Sequence, residues 1–129
     1  MSNRDDTSLF VRNAILVEGL DTSYLEAGSG PSVVLLHAGE FGGEAETCWE
    51  ATIPALAQHY RVLAPELLGF GRTAKVVEND KIKPHGWWEE LTGKMSNARV
   101  VIVPEAGHCA QLEQPDVVNA ALLDFLSAK

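Results

Sequence analysis

The sequence predicts an α/β fold in a single domain, because apolar runs typical of buried strands alternate with segments whose apolar residues recur at helical spacing. The chain has 129 residues, 46% of them hydrophobic, and is long enough to bury a core without metal ions or disulfides. It carries 18 acidic and 10 basic residues and a formal net charge of −8. The basic residues are scattered, so binding to nucleic acid or to an anionic membrane is disfavoured.

Four segments are predicted to form strands of one sheet. Val11–Val17 and residues 22–27 have mixed polarity and the spacing of a hairpin, which predicts two antiparallel edge strands. Residues 33–36 form a continuous aliphatic run, which predicts a parallel strand covered on both faces. Arg61–Pro65 predicts a further buried strand.

The remaining segments predict helices and one more strand. Residues 49–60 show helical spacing that Pro54 is expected to kink or shorten. Residues 87–95 predict a short helix, and residues 99–103 predict a third apolar strand. Residues 116–127 predict an amphipathic helix with Val117, Ala120, Ala121, Leu122 or Leu123, and Phe125 on its core face, and Asp116 in its first turn.

The cysteines and the N-terminus predict a soluble cytoplasmic protein. Cys48 and Cys109 lie in no metal-binding or redox spacing, which predicts free thiols in a reducing compartment. The first seven residues are polar and lack the apolar stretch of a secretory leader. No apolar run approaches the ~20 residues that span a bilayer. The four histidines form no metal-ligand spacing, so we expect no metal and no other cofactor.

Two groups of motifs carry a family resemblance. The first comprises residues 33–39, which read Val-Val-Leu-Leu-His-Ala-Gly, and residues 60–73, which end in Leu-Leu-Gly-Phe-Gly-Arg-Thr. The second comprises residues 105–108, Glu-Ala-Gly-His, and residues 112–115, Leu-Glu-Gln-Pro. Together they resemble the α/β-hydrolases, most closely the bacterial meta-cleavage product hydrolases, which cut carbon–carbon bonds in aromatic degradation.

The resemblance extends over nearly the whole chain as one domain, residues 1–129. Residues 8–75 resemble the N-terminal half of the family, and residues 76–129 resemble the part that bears the catalytic acid and histidine. The implied fold is a truncated α/β-hydrolase with a mostly parallel sheet, an antiparallel N-terminal hairpin and flanking helices.

The family's nucleophile motif, G-x-S-x-G, does not occur in this sequence. Residues 78–84, Glu-Asn-Asp-Lys-Ile-Lys-Pro, are similar to the family's loop that bears the triad acid, and residues 73–75 lead almost directly into residues 76–80. The resemblance therefore implies an internal deletion of the nucleophile strand, the helix behind it, the next strand and the lid, with a junction between Ala74 and Val77.

The resemblance assigns five candidate site residues. His108 and Asp80 would be the base and the acid of a triad without its serine, or inherited loop residues without a catalytic role. Gly39 would supply one backbone N–H of an oxyanion hole, or only a tight turn. Phe70 and Cys109 would line the pocket, and the Cys109 thiol is either a nucleophile beside the imidazole or a small buried hydrophobe.

Two functions follow from this pattern. The first is weak hydrolysis of a small-molecule substrate, an ester or a related acyl or carbon–carbon compound, by the Asp80–His108 pair. The second is a catalytically inactive remnant, natural or engineered, that acts as an oligomeric or binding scaffold. Removal of central strands leaves unpaired edges, so we expect a homodimer or a higher homo-oligomer that completes the sheet.

Overall fold

The computed structural model describes residues 9–37, 43–75 and 93–128. Four strands form one sheet, namely β1 (Val11–Val17), β2 (Leu20–Ala27), β3 (Ser32–Val34) and β4 (Arg61–Pro65). Their spatial order is β1-β2-β4-β3, with β3 and β4 parallel and the other two pairs antiparallel. The α/β class is confirmed, and the sheet in the described ranges is mixed rather than mostly parallel.

The predicted N-terminal hairpin forms, with β2 beginning at Leu20 rather than at residue 22. Its two-residue turn is Glu18-Gly19, and both residues have positive φ, 50° and 78°. This combination is typical of a type I′ turn, whose twist matches that of the flanking strands. β2 is an interior strand rather than an edge strand, because its second side pairs with β4.

β3 is shorter and more exposed than the predicted strand over residues 33–36. It ends at Val34, which is 57% exposed, and Leu36 beyond it is 41% exposed, whereas Leu35 is buried. Among the described strands, β4 alone pairs with β3. Within the described ranges β3 therefore forms an edge of the sheet, and Val34 and Leu36 are exposed there.

Of the predicted helix over residues 49–60, only Trp49 and residues 53–56 are helical. α1 (Ala45–Trp49) ends before the proline, and α2 (Ile53–Leu56) has it in the first turn. A proline is tolerated there because the first N–H groups of a helix have no intrahelical acceptor. Two helices follow near the C-terminus, α3 (Ala110–Glu113) and α4 (Pro115–Ser127). None of the helices in the described part is long and apolar enough to cross a membrane.

α4 confirms the predicted C-terminal helix and packs on the core of the sheet. Asp116 lies in its first turn, where a negative charge is favourable. The residues that α4 packs against the core are Leu122, Leu123 and Leu126, whereas Val117 and Ala120, predicted for the core face, are exposed. The buried core itself comprises Leu25, Ala27, Leu35, Ala45, Ile53, Leu56, Val62 and Ala64. The C-terminal helix α4 thus packs on the core that residues 25–64 form.

The predicted strand over residues 99–103 does not form. The segment has no regular secondary structure, and Val100 and Ile102 are 76% and 88% exposed. An apolar run of this length becomes a strand only when a neighbouring strand accepts its backbone hydrogen bonds. The predicted helix over residues 87–95 lies outside the described residues except for residues 93–95.

Candidate functional site

The loops that follow β3 and β4 meet at the carboxyl ends of these parallel strands. His37 follows β3 and is fully buried, and its Nε2 accepts a hydrogen bond from the backbone N–H of Leu67 at 2.9 Å. Its ring contacts Phe70 edge-on, with the centroids 5.3 Å apart. Ligand sites in α/β sheets form at this end of the strands. The Nε2 lone pair of His37 is already used, so His37 holds the two loops together rather than acting as a base.

Glu66 anchors the loop after β4. Its side chain is fully buried, and its Oε1 lies 3.0 Å from Nη1 of Arg12 on β1. Its Oε2 accepts a hydrogen bond from the backbone N–H of Arg72 at 2.8 Å. A Cβ on Gly71 would overlap this carboxylate, so the loop needs a glycine there. Thr73 closes the loop by donating from Oγ1 to the Glu66 carbonyl at 2.7 Å.

The surroundings of Glu66 hold its carboxyl in the charged form. Burial is the largest single influence and by itself raises the pKa of this group. The Arg72 N–H, the Arg12 guanidinium and the Ser23 hydroxyl together outweigh burial, so the pKa lies below its ordinary value. Arg12 also donates to Glu46 of α1 at 2.9 Å. These contacts of Glu66 and Arg12 therefore connect β1, β2, α1 and the loop that carries Phe70.

His108 lies in a loop just before α3 whose backbone is fixed by Glu113. The Gly107 N–H lies 3.1 Å from both oxygens of the Glu113 carboxylate, and the Cys109 N–H donates to Oε2 at 2.9 Å. Gln114 Nε2 adds a hydrogen bond to the Glu105 carbonyl at 3.3 Å. Carboxylates commonly satisfy N–H groups at the start of a helix in this way. The side chain of His108 is exposed, although its backbone is held on both sides.

The structure describes three of the five predicted site residues. Phe70 lies in the loop after β4, while His108 and the half-buried Cys109 lie in the loop before α3. Asp80 and Gly39 lie outside the described residues. The pairing of Asp80 with His108 and the oxyanion role of Gly39 therefore stay predictions.

Two carboxylates that fix these loops, Glu66 and Glu113, were not predicted from the sequence. Glu66 directly follows a buried strand and precedes the close turn at Gly71, a position where a buried acid requires a partner. Glu113 lies four residues after Cys109, in the first turn of a helix, where a carboxylate is favoured. Both signals are local, but the partner of Glu66 lies far away in the chain.

About half of the chain is similar to known hydrolases. No family model matches the chain. Over 68 residues the chain is 50% identical to 2-hydroxy-6-oxo-6-(2'-aminophenyl)hexa-2,4-dienoic acid hydrolase of Metapseudomonas resinovorans, covering 53% of this chain and 23% of the relative. A solved serine hydrolase involved in carbazole degradation matches with a TM-score of 0.53 and 47% identity, over 54% of this chain and 27% of that one. An epoxide hydrolase from an endophytic Streptomyces matches with a TM-score of 0.51 and 32% identity, over 57% and 22% of the two chains.

These matches confirm the predicted resemblance over about half of the chain, and its extension over nearly the whole chain stays a prediction. About half of the chain is similar to meta-cleavage product hydrolases and related α/β-hydrolases, and the partial mixed sheet with its helices agrees with that class. The chain spans about a quarter of the length of the curated relative described above.

Proposed function

We propose that this chain is a weak hydrolase of esters or related acyl and carbon–carbon substrates, in which His108 activates a water molecule directly. The observation that carries the proposal is the His108 loop, where an exposed imidazole stands on a backbone held on both sides by Glu113. A general base must hold a defined position and reach the proton that it removes. The similarity of half of the chain to hydrolases supports the reaction class.

In the proposed reaction, the His108 imidazole removes a proton from water while the water oxygen attacks the acyl carbon. The carbonyl oxygen becomes an oxyanion, to which the N–H of Gly39 donates. The intermediate then collapses, the bond to the leaving oxygen breaks, and the imidazolium returns its proton to that oxygen. Asp80 orients the imidazole and stabilises its positive charge. The reaction needs no covalent intermediate and no cofactor.

Replacement of the base should remove most of this activity. We expect His108→Ala to lower the rate of p-nitrophenyl butyrate hydrolysis about 100-fold, the lower end of what a positioned general base contributes. The rate is measured on purified protein by release of p-nitrophenolate.

The matched control is His59→Ala. His59 is also exposed, so it reports the hydrolysis that any surface imidazole causes in an activated ester. We expect this variant to keep the wild-type rate. Equal losses in the two variants, or a wild-type rate no higher than buffer, would contradict the proposal.

The open edge of β3 favours a second candidate function, a homo-oligomeric scaffold. No described strand pairs with the outer side of β3, and Val34 and Leu36 are exposed there. An exposed apolar edge is a template for another strand. A second copy of this chain can pair with the edge and cover both side chains.

A charge at this edge should therefore separate the copies. We expect the wild-type protein to sediment as a dimer or larger species and Val34→Lys to sediment as a monomer, because a lysine disfavours edge pairing. Ile15→Lys is the matched control, since Ile15 is 55% exposed on β1 at the opposite edge. A monomeric wild-type protein, or dissociation caused equally by both variants, would exclude pairing through β3.

A further inference from the structure

A cavity of about 370 Å³ opens between α4, α1 and the segment 99–103. Cavities of roughly 300–1,000 Å³ with apolar walls and a few polar groups are the usual form of small-molecule sites. This cavity is at the small end of that range. Its apolar lining includes Trp49, Val101, Val103, Val118, Leu122 and Phe125, and Arg99 is the charged residue in the lining.

Arg99 supplies a positive charge at the wall of the cavity. Its Nη2 lies 3.0 Å from Oδ2 of Asp124 and 3.3 Å from the Ala121 carbonyl, and the guanidinium stands 5.4 Å from the ring centroid of Phe125. The side chain of Asp124 is 74% exposed, so its attraction for Arg99 is screened by water. A ligand anion can therefore take the place of Asp124 while the guanidinium stays on the Phe125 ring.

Trp49 supplies a buried polar group that has no partner in the described part of the chain. Its ring lines the cavity, and its Nε1–H is buried with no acceptor among the described residues. Indole N–H groups only donate, and buried donors in native proteins are nearly always paired. A bound ligand with a hydrogen-bond acceptor near Trp49 would accept a hydrogen bond from this Nε1–H.

We propose that the cavity binds an amphipathic organic monoanion, with its apolar body between α4 and Trp49 and its anionic group on Arg99. The net charge of −8 disfavours general attraction of anions, so binding depends on this local arginine. The proposal goes beyond the hydrolase reaction, because it requires no chemistry at His108. A carboxylate on a short aromatic or aliphatic chain has the required charge, acceptor and apolar body.

Calorimetric titration with 4-phenylbutyrate and with its neutral analogue 4-phenylbutanol tests the proposal on the full chain. We expect saturable one-to-one binding of the acid and at least tenfold weaker binding of the alcohol. Arg99→Gln should weaken binding of the acid at least tenfold and leave binding of the alcohol unchanged. The loss of acid binding should be smaller at high salt. Arg99→Lys, which keeps the charge, should restore part of the affinity.

Two further variants separate this site from general effects. Arg61→Gln removes another exposed arginine with one carboxylate partner, Glu26, and should not change binding. Ala121→Phe places a large side chain in the cavity lining and should abolish binding of both ligands. No saturable binding of the acid, equal losses in Arg99→Gln and Arg61→Gln, or unchanged binding in Ala121→Phe would overturn the proposal. None of these outcomes depends on ester hydrolysis.

Discussion

Glu66→Gln is expected to lower the free energy of unfolding by about 3 kcal/mol, since Arg12 loses its buried carboxylate partner and keeps only the half-exposed Glu46. The Glu66 side chain is fully buried, and the Arg12 side chain is 18% exposed. The glutamine also loses the charge that strengthens the hydrogen bond from the Arg72 N–H. Urea unfolding followed by circular dichroism at neutral pH measures the difference.

Glu46→Gln is the matched control for this effect. Glu46 binds the same guanidinium, with its oxygen 2.9 Å from Arg12 Nη2, but its side chain is 50% exposed. Exposed ion pairs contribute about 0–1 kcal/mol, so this variant should be nearly neutral. Equal destabilisation by the two substitutions would show that burial does not set the importance of Glu66.

The contribution of Glu66 should also depend on pH. Its pKa is lower in the folded protein than the ordinary carboxyl value, so folding favours the charged form. The stability gained is complete above the unfolded pKa of about 4.3 and is lost as pH falls through the folded pKa. The difference between wild type and Glu66→Gln should therefore be constant near neutral pH and diminish in acid. A difference that grows in acid would contradict this assignment.

Gly28→Ala is expected to destabilise the protein by about 3 kcal/mol through two costs. The φ of Gly28 is 74°, where a Cβ costs roughly 1–2 kcal/mol. The added Cβ would also overlap the carbonyl oxygens of Tyr60 and Ala57, and overpacking costs about 1–3 kcal/mol. This turn precedes β3, and the Arg61 N–H donates to the Pro31 carbonyl at 2.9 Å. A shift of the turn would therefore disturb the pairing of β3 with β4.

Gly19→Ala separates the two costs. Gly19 has a similar φ of 78°, but no atom lies within 4 Å of an added Cβ. This variant should cost about 1 kcal/mol, the conformational cost alone. Both variants are compared by urea unfolding under the same conditions. Equal losses of stability would show that the approach of the Gly28 turn to α2 is looser than the structure describes.

Local sequence signals predicted the elements that local chemistry determines. The N-terminal hairpin, the break near Pro54 and the helix around Asp116 depend on residues within a few positions of each other. The edge position of β3 and the irregular segment 99–103 depend instead on which strands are available as neighbours. An apolar run cannot reveal whether that neighbour is present.

The residues around the candidate site also divide into local and long-range signals. The family motifs assigned His108 and Phe70 to the site, because their loop sequences resemble those of hydrolases, and these assignments stay predictions. They did not identify Glu66 with Arg12, because that pair forms only when β1 and the loop after β4 meet in the folded sheet. Arg99 and the Trp49 indole at the α4 cavity were missed for the same reason.

Intact-mass spectrometry during turnover of p-nitrophenyl butyrate tests most directly whether His108 activates water without a covalent nucleophile. We predict linear release of p-nitrophenolate with no initial burst, and a protein mass that stays unchanged while substrate is consumed. A burst equal to the protein concentration, with a butyryl group on Cys109, would contradict this mechanism and identify the thiol as the nucleophile. In that case Cys109→Ser would abolish the adduct and the burst together.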